Sequence, residues 1–226
     1  MGLSSVLGDL LPAALGIAIS PLPIIAAVLM LLSSRPARTA PAFAAGWVLG
    51  LSIVTVVVVL VAPSGQEADS SPDTVAWIKL ILGFVFAGLA ISTWQRRPLP
   101  GDHVPVPPKW MTGLDTVGPV AALVLGAALS GLNPKNLALA VTGGVTMASG
   151  DLSTTETVVC AVVFVVLGSI LIIGPVLAYF VAKDAMSAPL TSLKEFMQVH
   201  NAAIMTVLLT LLGVSNIGKG VGGLLQ

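Results

Sequence analysis

Charged side chains are nearly missing from long stretches of this sequence. Only 9% of its residues are Asp, Glu, Lys or Arg, against about a quarter in an ordinary soluble domain. With 56% hydrophobic residues and a mean hydropathy of +1.01, the 226-residue chain falls in the membrane class. The formal net charge is zero, so no basic surface points to nucleic acid. Cysteine is almost absent too. The single Cys160 excludes an internal disulfide, and no cysteine–histidine cluster exists to hold a metal. Cys160 reads as a small packed residue in a helix. Also missing are a histidine–aspartate pair, paired carboxylates and a nucleophile with a base, so the chain is not expected to be an enzyme. No glycine-rich nucleotide loop is present, and no cofactor is implied. The first 34 residues lack a basic leader region and carry too long an apolar stretch for a signal peptide.

What is present is a series of apolar segments, near 5–33, 41–62, 76–95, 117–149, 156–182 and 202–225. A spanning helix needs about 20 residues. Segments one and four exceed that, and each contains a proline motif: Ser20-Pro21-Leu22-Pro23 and Asn133-Pro134-Lys135-Asn136. A helix broken or bent at the proline, a strongly tilted helix and a re-entrant hairpin all account for the excess. The expected fold is an all-α polytopic membrane protein of six transmembrane helices. It forms a single transmembrane domain over 1–226: a first repeat at 5–95, a proline-rich linker at 96–116 and a second repeat at 117–226.

Three connections hold seven of the ten basic residues: Arg35 and Arg38; Arg96, Arg97 and Lys109; Lys183 and Lys194. The opposite connections are acidic, with Glu67, Asp69 and Asp73 in one and Asp151 and Glu156 in the other. The positive-inside rule then places the basic loops in the cytoplasm and both termini outside. Trp77 and Trp94 bracket segment three as interfacial anchors. Pro98, Pro100, Pro105, Pro107 and Pro108 make the linker stiff and extended. His103 and His200 fall in cytoplasmic loops and read as solvated or interfacial. The stretch 184–200 fits a short amphipathic helix on the cytoplasmic face, with Met186, Leu190, Leu193, Phe196 and Met197 set against Lys194 and Glu195.

The halves share a plan. Gly16, Ala18, Ser20 and Leu22 align without gaps on Gly126, Ala128, Ser130 and Leu132, which puts Pro23 within one residue of Pro134. The third helices end alike, in Ser92-Thr93 and Ser215-Asn216. Three spans per half make the second copy inverted, and paired interrupted segments in inverted repeats point to a transporter's binding site. Ser20, Ser130, Asn133 and Asn136 are placed to satisfy backbone groups freed at the breaks. A broken helix also offers an N-terminus that favours anions.

Lys135 is the sharpest residue. An ammonium at a helix centre costs roughly 3 kcal/mol to insert, and no acidic residue lies near the middle of any segment to neutralise it. Either an anionic headgroup or cavity water is its partner, or it snorkels or caps a helix end at the outer interface. Lys219 reads as an interfacial lysine. Gly143-Gly144 fits a hinge or close packing. Close packing also covers Gly46, Gly50, Gly83, Gly88, Gly168 and Gly174.

The early Ser-Pro-x-Pro, the mid-chain Asn-Pro-Lys and six helices in this length resemble the LysE exporter superfamily. Within it the resemblance is to the GAP family of glycopeptidolipid- and sulfolipid-addressing proteins of actinobacteria. The resemblance implies export of an envelope glycolipid or related anionic amphiphile across the inner membrane, alone or beside a larger lipid exporter. Pro21, Pro23, Asn133, Pro134 and Lys135 would line the path, and a homodimer is open to it. Leu22 stands where amino-acid exporters of the superfamily carry glycine between the prolines, which weakens that substrate class without removing it. Thiol–disulfide relatives need two intramembrane cysteines, and metal exporters need intramembrane carboxylates. The competing reading is a non-transporting membrane scaffold that partners a lipid-export complex.

Overall fold

A computed structural model of the chain describes residues 2–62, 72–97, 113–114 and 116–225. Among these it is all-helical: α1 (Leu3–Ala18), α2 (Pro21–Leu31), α3 (Pro36–Val61), α4 (Pro72–Gln95), α5 (Pro119–Gly131), α6 (Pro134–Ala148), α7 (Thr154–Val181) and α8 (Ser187–Leu224), with a 3-10 turn at Lys183–Ala185. Five of the eight α-helices begin on a proline. At the first helical position the missing N–H costs no hydrogen bond and the fixed φ is already helical. Proline often marks where helices start here, and the two sequence motifs are starts of this kind, while Pro12, Pro41 and Pro175 lie inside α1, α3 and α7. α7 begins differently, with a capping box. Ser153 Oγ accepts from the Glu156 N–H at 3.3 Å, and Glu156 Oε2 accepts from the Ser153 N–H at 2.9 Å.

Four helices (α3, α4, α7 and α8) are long and apolar enough to cross a membrane, and α1 with α2 makes a fifth candidate, a pair bent by 52° at the break. Their outer faces carry large apolar side chains, among them Ile53, Leu60, Phe84, Ile91, Val162 and Val214, all exposed. That pattern suits lipid rather than water.

Glycines set the register between helices. α5 climbs alongside α3: Gly126 lies against the Phe43 carbonyl and Trp47 amide, Ser130 and Ala127 against Gly50, and Gly131 against Val54. α6 continues the climb, with Gly144 against Val58. α7 descends antiparallel, Gly143 meeting Phe164 and Gly168 meeting Leu51 and Ile17. α4 and α8 form a second close antiparallel pair. Gly213 abuts Ala87, Gly83 abuts Ile217 and Gly220 abuts Leu80 and Ala76, the small-residue mode by which membrane helices approach. One consequence matters for function. Gly50, near the middle of α3, and Gly168, near the middle of α7, are level with Ser130–Gly131 and with Gly16–Ile17. Both helix breaks therefore sit at mid-height of α3 and α7.

Several expectations are adjusted. The amphipathic stretch 184–200 is not a separate helix, because α8 runs unbroken from Ser187 to Leu224. After Pro189, in its first turn, nothing interrupts it. At 38 residues it is about 57 Å long, nearly twice the roughly 30 Å hydrocarbon core. His200, expected in a loop, is instead exposed on this helix, stacked on Phe196 with centroids 4.4 Å apart. Gly46, Gly50, Gly83, Gly143, Gly144 and Gly168 pack closely, but Gly88 and Gly174 face open space. Trp77 and Trp94 are both exposed at the ends of α4, and the Arg97 guanidinium stacks 4.0 Å from the Trp94 ring centre, as interfacial anchors do. Cys160 is buried in the core. The acidic connection around Glu67 and Asp69, and the linker from Pro98 to Pro108 with His103, lie outside the described residues.

Candidate functional site

Each break frees a backbone carbonyl. α1 makes its last helical bond from the Ile19 N–H to Leu15 O, at 2.9 Å, so Gly16 O is the next acceptor left over. α5 closes with the Leu132 N–H on Ala128 O at 2.8 Å, leaving Leu129 O. In an apolar interior an unpaired carbonyl costs several kcal/mol. Adjacent residues of one motif satisfy both. Lys135 Nζ donates to Gly16 O at 2.7 Å, and Asn136 Nδ2 donates to Leu129 O at 3.0 Å.

Ser20 joins the two. Its hydroxyl donates to Asn136 Oδ1 at 2.9 Å and accepts from Lys135 Nζ at 2.6 Å. Ser20 and Asn136 are fully buried, and Lys135 is half-buried. The third contact of the ammonium is Met205 Sδ, 4.0 Å away on α8. All three acceptors are neutral. Among the described residues Lys135 forms no ion pair.

The other predicted site residues divide. Asn133 caps α6, its Oδ1 accepting from the Lys135 backbone N–H at 3.1 Å. Pro21 and Pro23 are buried in the first turn of α2, whereas Pro134 is exposed, turned away from the cluster. Ser130 is buried but bonds its own helix, donating to Ala127 O at 3.1 Å, with Gly50 at its back. The sequence motif therefore supplies a compact Ser20–Lys135–Asn136 network, capped by Asn133, rather than eight equivalent lining residues.

The helix ends contribute less than expected. Pro21 and Pro23 remove two of the first three N–H groups of α2. In α6, Pro134 has none and the Lys135 N–H is already held by Asn133. The free donors that make a helix N-terminus attract anions are thus mostly gone. The positive group at this level is the Lys135 ammonium itself. Trp47 Nε1 and Ser169 Oγ, buried near the same level on α3 and α7, have no hydrogen-bond partner among the described residues.

Sequence reading had Gly16 only as a matched repeat position and did not single out Met205, Leu139 or Leu212. The last two close over Gly16, where an added β-carbon would lie 3.0 Å from Leu139 Cδ1 and 3.2 Å from Leu212 Cδ1. Only the α6 spacing of Leu139, one turn beyond Lys135, signals any of these in the sequence.

The buried network gives one direct test. Asn136→Leu keeps the side-chain size but strands Leu129 O and leaves the Ser20 O–H without its acceptor. The expected loss is about 1–3 kcal/mol per stranded group, read as a lowered unfolding midpoint of the purified protein in detergent. An unchanged midpoint would show that water, not Asn136, satisfies those groups.

No curated protein and no solved structure matches the chain significantly. A family model described as "Sap, sulfolipid-1-addressing protein" matches residues 10–222, which takes in both breaks, the second half of α1, all of α2 to α7 and most of α8. With nearly the whole sequence aligned to that model, the chain belongs to the sulfolipid-1-addressing protein family.

Proposed function

We propose that this chain is a membrane transporter that moves an anionic amphiphile, a sulfolipid or related envelope glycolipid, across the inner membrane, with Lys135 receiving the anionic headgroup. The observation that carries this reading is the ammonium held by three neutral acceptors at mid-height of the bundle. A charge at that depth costs roughly 3 kcal/mol to insert, and a headgroup sulfate or phosphate ester would offset it. The family's name supplies the sulfolipid class.

On this reading α5 and α6 together form a sixth passage, since they climb α3 in one sense from Phe43 to Val58. The six passages then form a 3+3 inverted repeat of the exporter type. Helix pairing supports this: the third helices of the halves, α4 and α8, pack on each other. The first unit of each half packs on the second helix of the other, α5 and α6 on α3 and α1 and α2 on α7. The two breaks meet at the centre, as in other transporters with broken helices. Basic loops facing the cytoplasm set both termini outside.

The test is leaflet exchange. The purified protein is reconstituted into vesicles carrying a fluorescent sulfated glycolipid in both leaflets, and an impermeant quencher is added outside. The quenched fraction should rise from the outer-leaflet half toward completion, because a carrier equilibrates its substrate without an energy source. Quenching that stops at the half, as in empty vesicles, would reject transport and favour a scaffold that serves a larger exporter.

A further inference from the structure

A second polar cluster lies further along the same helices. Lys219 near the end of α8 pairs with Asp9 of α1 at 2.7 Å, two residues 210 positions apart in sequence. Lys79 of α4 lines the same small pocket, with Thr142, Thr146 and Asn216. Lys79 has no ion pair among the described residues. The pocket therefore holds two ammonium groups against one carboxylate, an excess of one positive charge. Its open space is about that of a single water, so a larger anion enters only where the Asp9 carboxylate swings out toward the surface.

The two positive sites share their walls. Lys135 and Thr142 lie on α6 about 10 Å apart along the axis. Gly16 and Asp9 are similarly spaced on α1, and Met205 and Lys219 both lie on α8. Between the sites sits the apolar contact of Leu139 and Leu212 over Gly16. A path from Lys135 along this face meets that contact and then the second pair of lysines.

We propose that this pocket is a second oxyanion site, in which Lys79 and Lys219 bind a sulfate or phosphate ester, or the corresponding free anion, and Asp9 competes with it for Lys219. Its place as an exit station rests on the transport reading above; the anion binding itself does not. Asp9 already occupies Lys219, so an arriving anion displaces a carboxylate and is in turn displaced by it. Such a site captures a headgroup without retaining it. Thr142, Thr146 and Asn216 donate to carbonyls of their own helices, at 3.0, 2.8 and 2.9 Å, leaving the lysines and the Ser215 hydroxyl as donors.

The experiment counts bound ligand by native mass spectrometry on the full chain in nonionic detergent. The probe is galactosylceramide 3-sulfate, with unsulfated galactosylceramide as control. Every variant is made in a Lys135→Met background, which reads the outer pocket alone. Lys79→Gln should weaken binding about tenfold, the loss of one charge-assisted contact, and Lys79→Arg should restore it. Asp9→Asn should strengthen it by a similar factor. The opposite signs separate a binding effect from damage to folding, which lowers affinity in both. Displacement by inorganic sulfate would assign the site to the anion in general, and resistance to it would assign the lipid-borne ester. Equal binding of the unsulfated lipid, or no change in either Lys79→Gln or Asp9→Asn, would overturn the proposal. The leaflet assay would stand unaffected.

Discussion

Lys135→Met is expected to slow leaflet exchange of the sulfated lipid roughly a hundredfold while leaving the protein folded. The ammonium offers a headgroup oxyanion one or two charge-assisted hydrogen bonds, at about 1.5–3 kcal/mol each, and each 1.4 kcal/mol is a factor of ten in rate or affinity. Stability should change little. The mutation removes an insertion cost of roughly 3 kcal/mol and forfeits two hydrogen bonds of similar combined worth, to Gly16 O and Ser20 Oγ. The signature is a loss of transport with an unfolding midpoint within a few degrees of wild type. Exchange that persists at the wild-type rate would exclude Lys135 from the path. A parallel collapse of the midpoint would make the lysine a structural tie between the two breaks.

Gly46→Ala and Gly126→Ala should be the most damaging small substitutions in the chain. A β-carbon on Gly46 would overlap the Leu123 carbonyl, and one on Gly126 would overlap the Phe43 carbonyl. Backbone cannot swing aside as a side chain does, so the α3 and α5 axes must separate along their length. We expect a loss of about 3 kcal/mol or more, at the upper end of overpacking costs, and poor recovery of monodisperse protein by size-exclusion chromatography. Gly88→Ala and Gly174→Ala, which face open space, are the controls. They should be neutral or stabilising by up to about 1 kcal/mol, since alanine favours helix over glycine. Equal behaviour of the two pairs would mean that α3 and α5 are less tightly apposed than described.

These glycines show where the sequence stops being informative. All four sit in apolar helices and look alike. What distinguishes them is the element opposite, and no local pattern encodes that. Proline was more legible because its effect is local. The missing N–H and fixed φ act on its own helix, so Pro21 and Pro134, in segments too long for one straight span, marked candidate breaks, whereas Pro12, Pro41 and Pro175 lie inside helices. Lys135 was conspicuous for a related reason: an ammonium inside an apolar run stands out whichever neighbours it meets, though the sequence left its depth open. The Asp9–Lys219 pair was not legible, because the two residues are 210 positions apart and only folding brings them together. The expectation that helix ends would attract anions failed on counting donors. The prolines that break the helices also take away the N–H groups.

α8 passes every station along this face. Its first turns, with Lys194 and Glu195, extend the helix well beyond the length of a hydrocarbon core. Met205 then touches the Lys135 ammonium, Leu212 meets Leu139 over Gly16, and Lys219 holds Asp9. No proline interrupts it between Met205 and Leu224. A rod with three points of contact works as a lever. On the transport reading, a tilt at its projecting end would act on all three contacts together and so couple the central lysine, the Leu139–Leu212 contact and the Asp9–Lys219 pair.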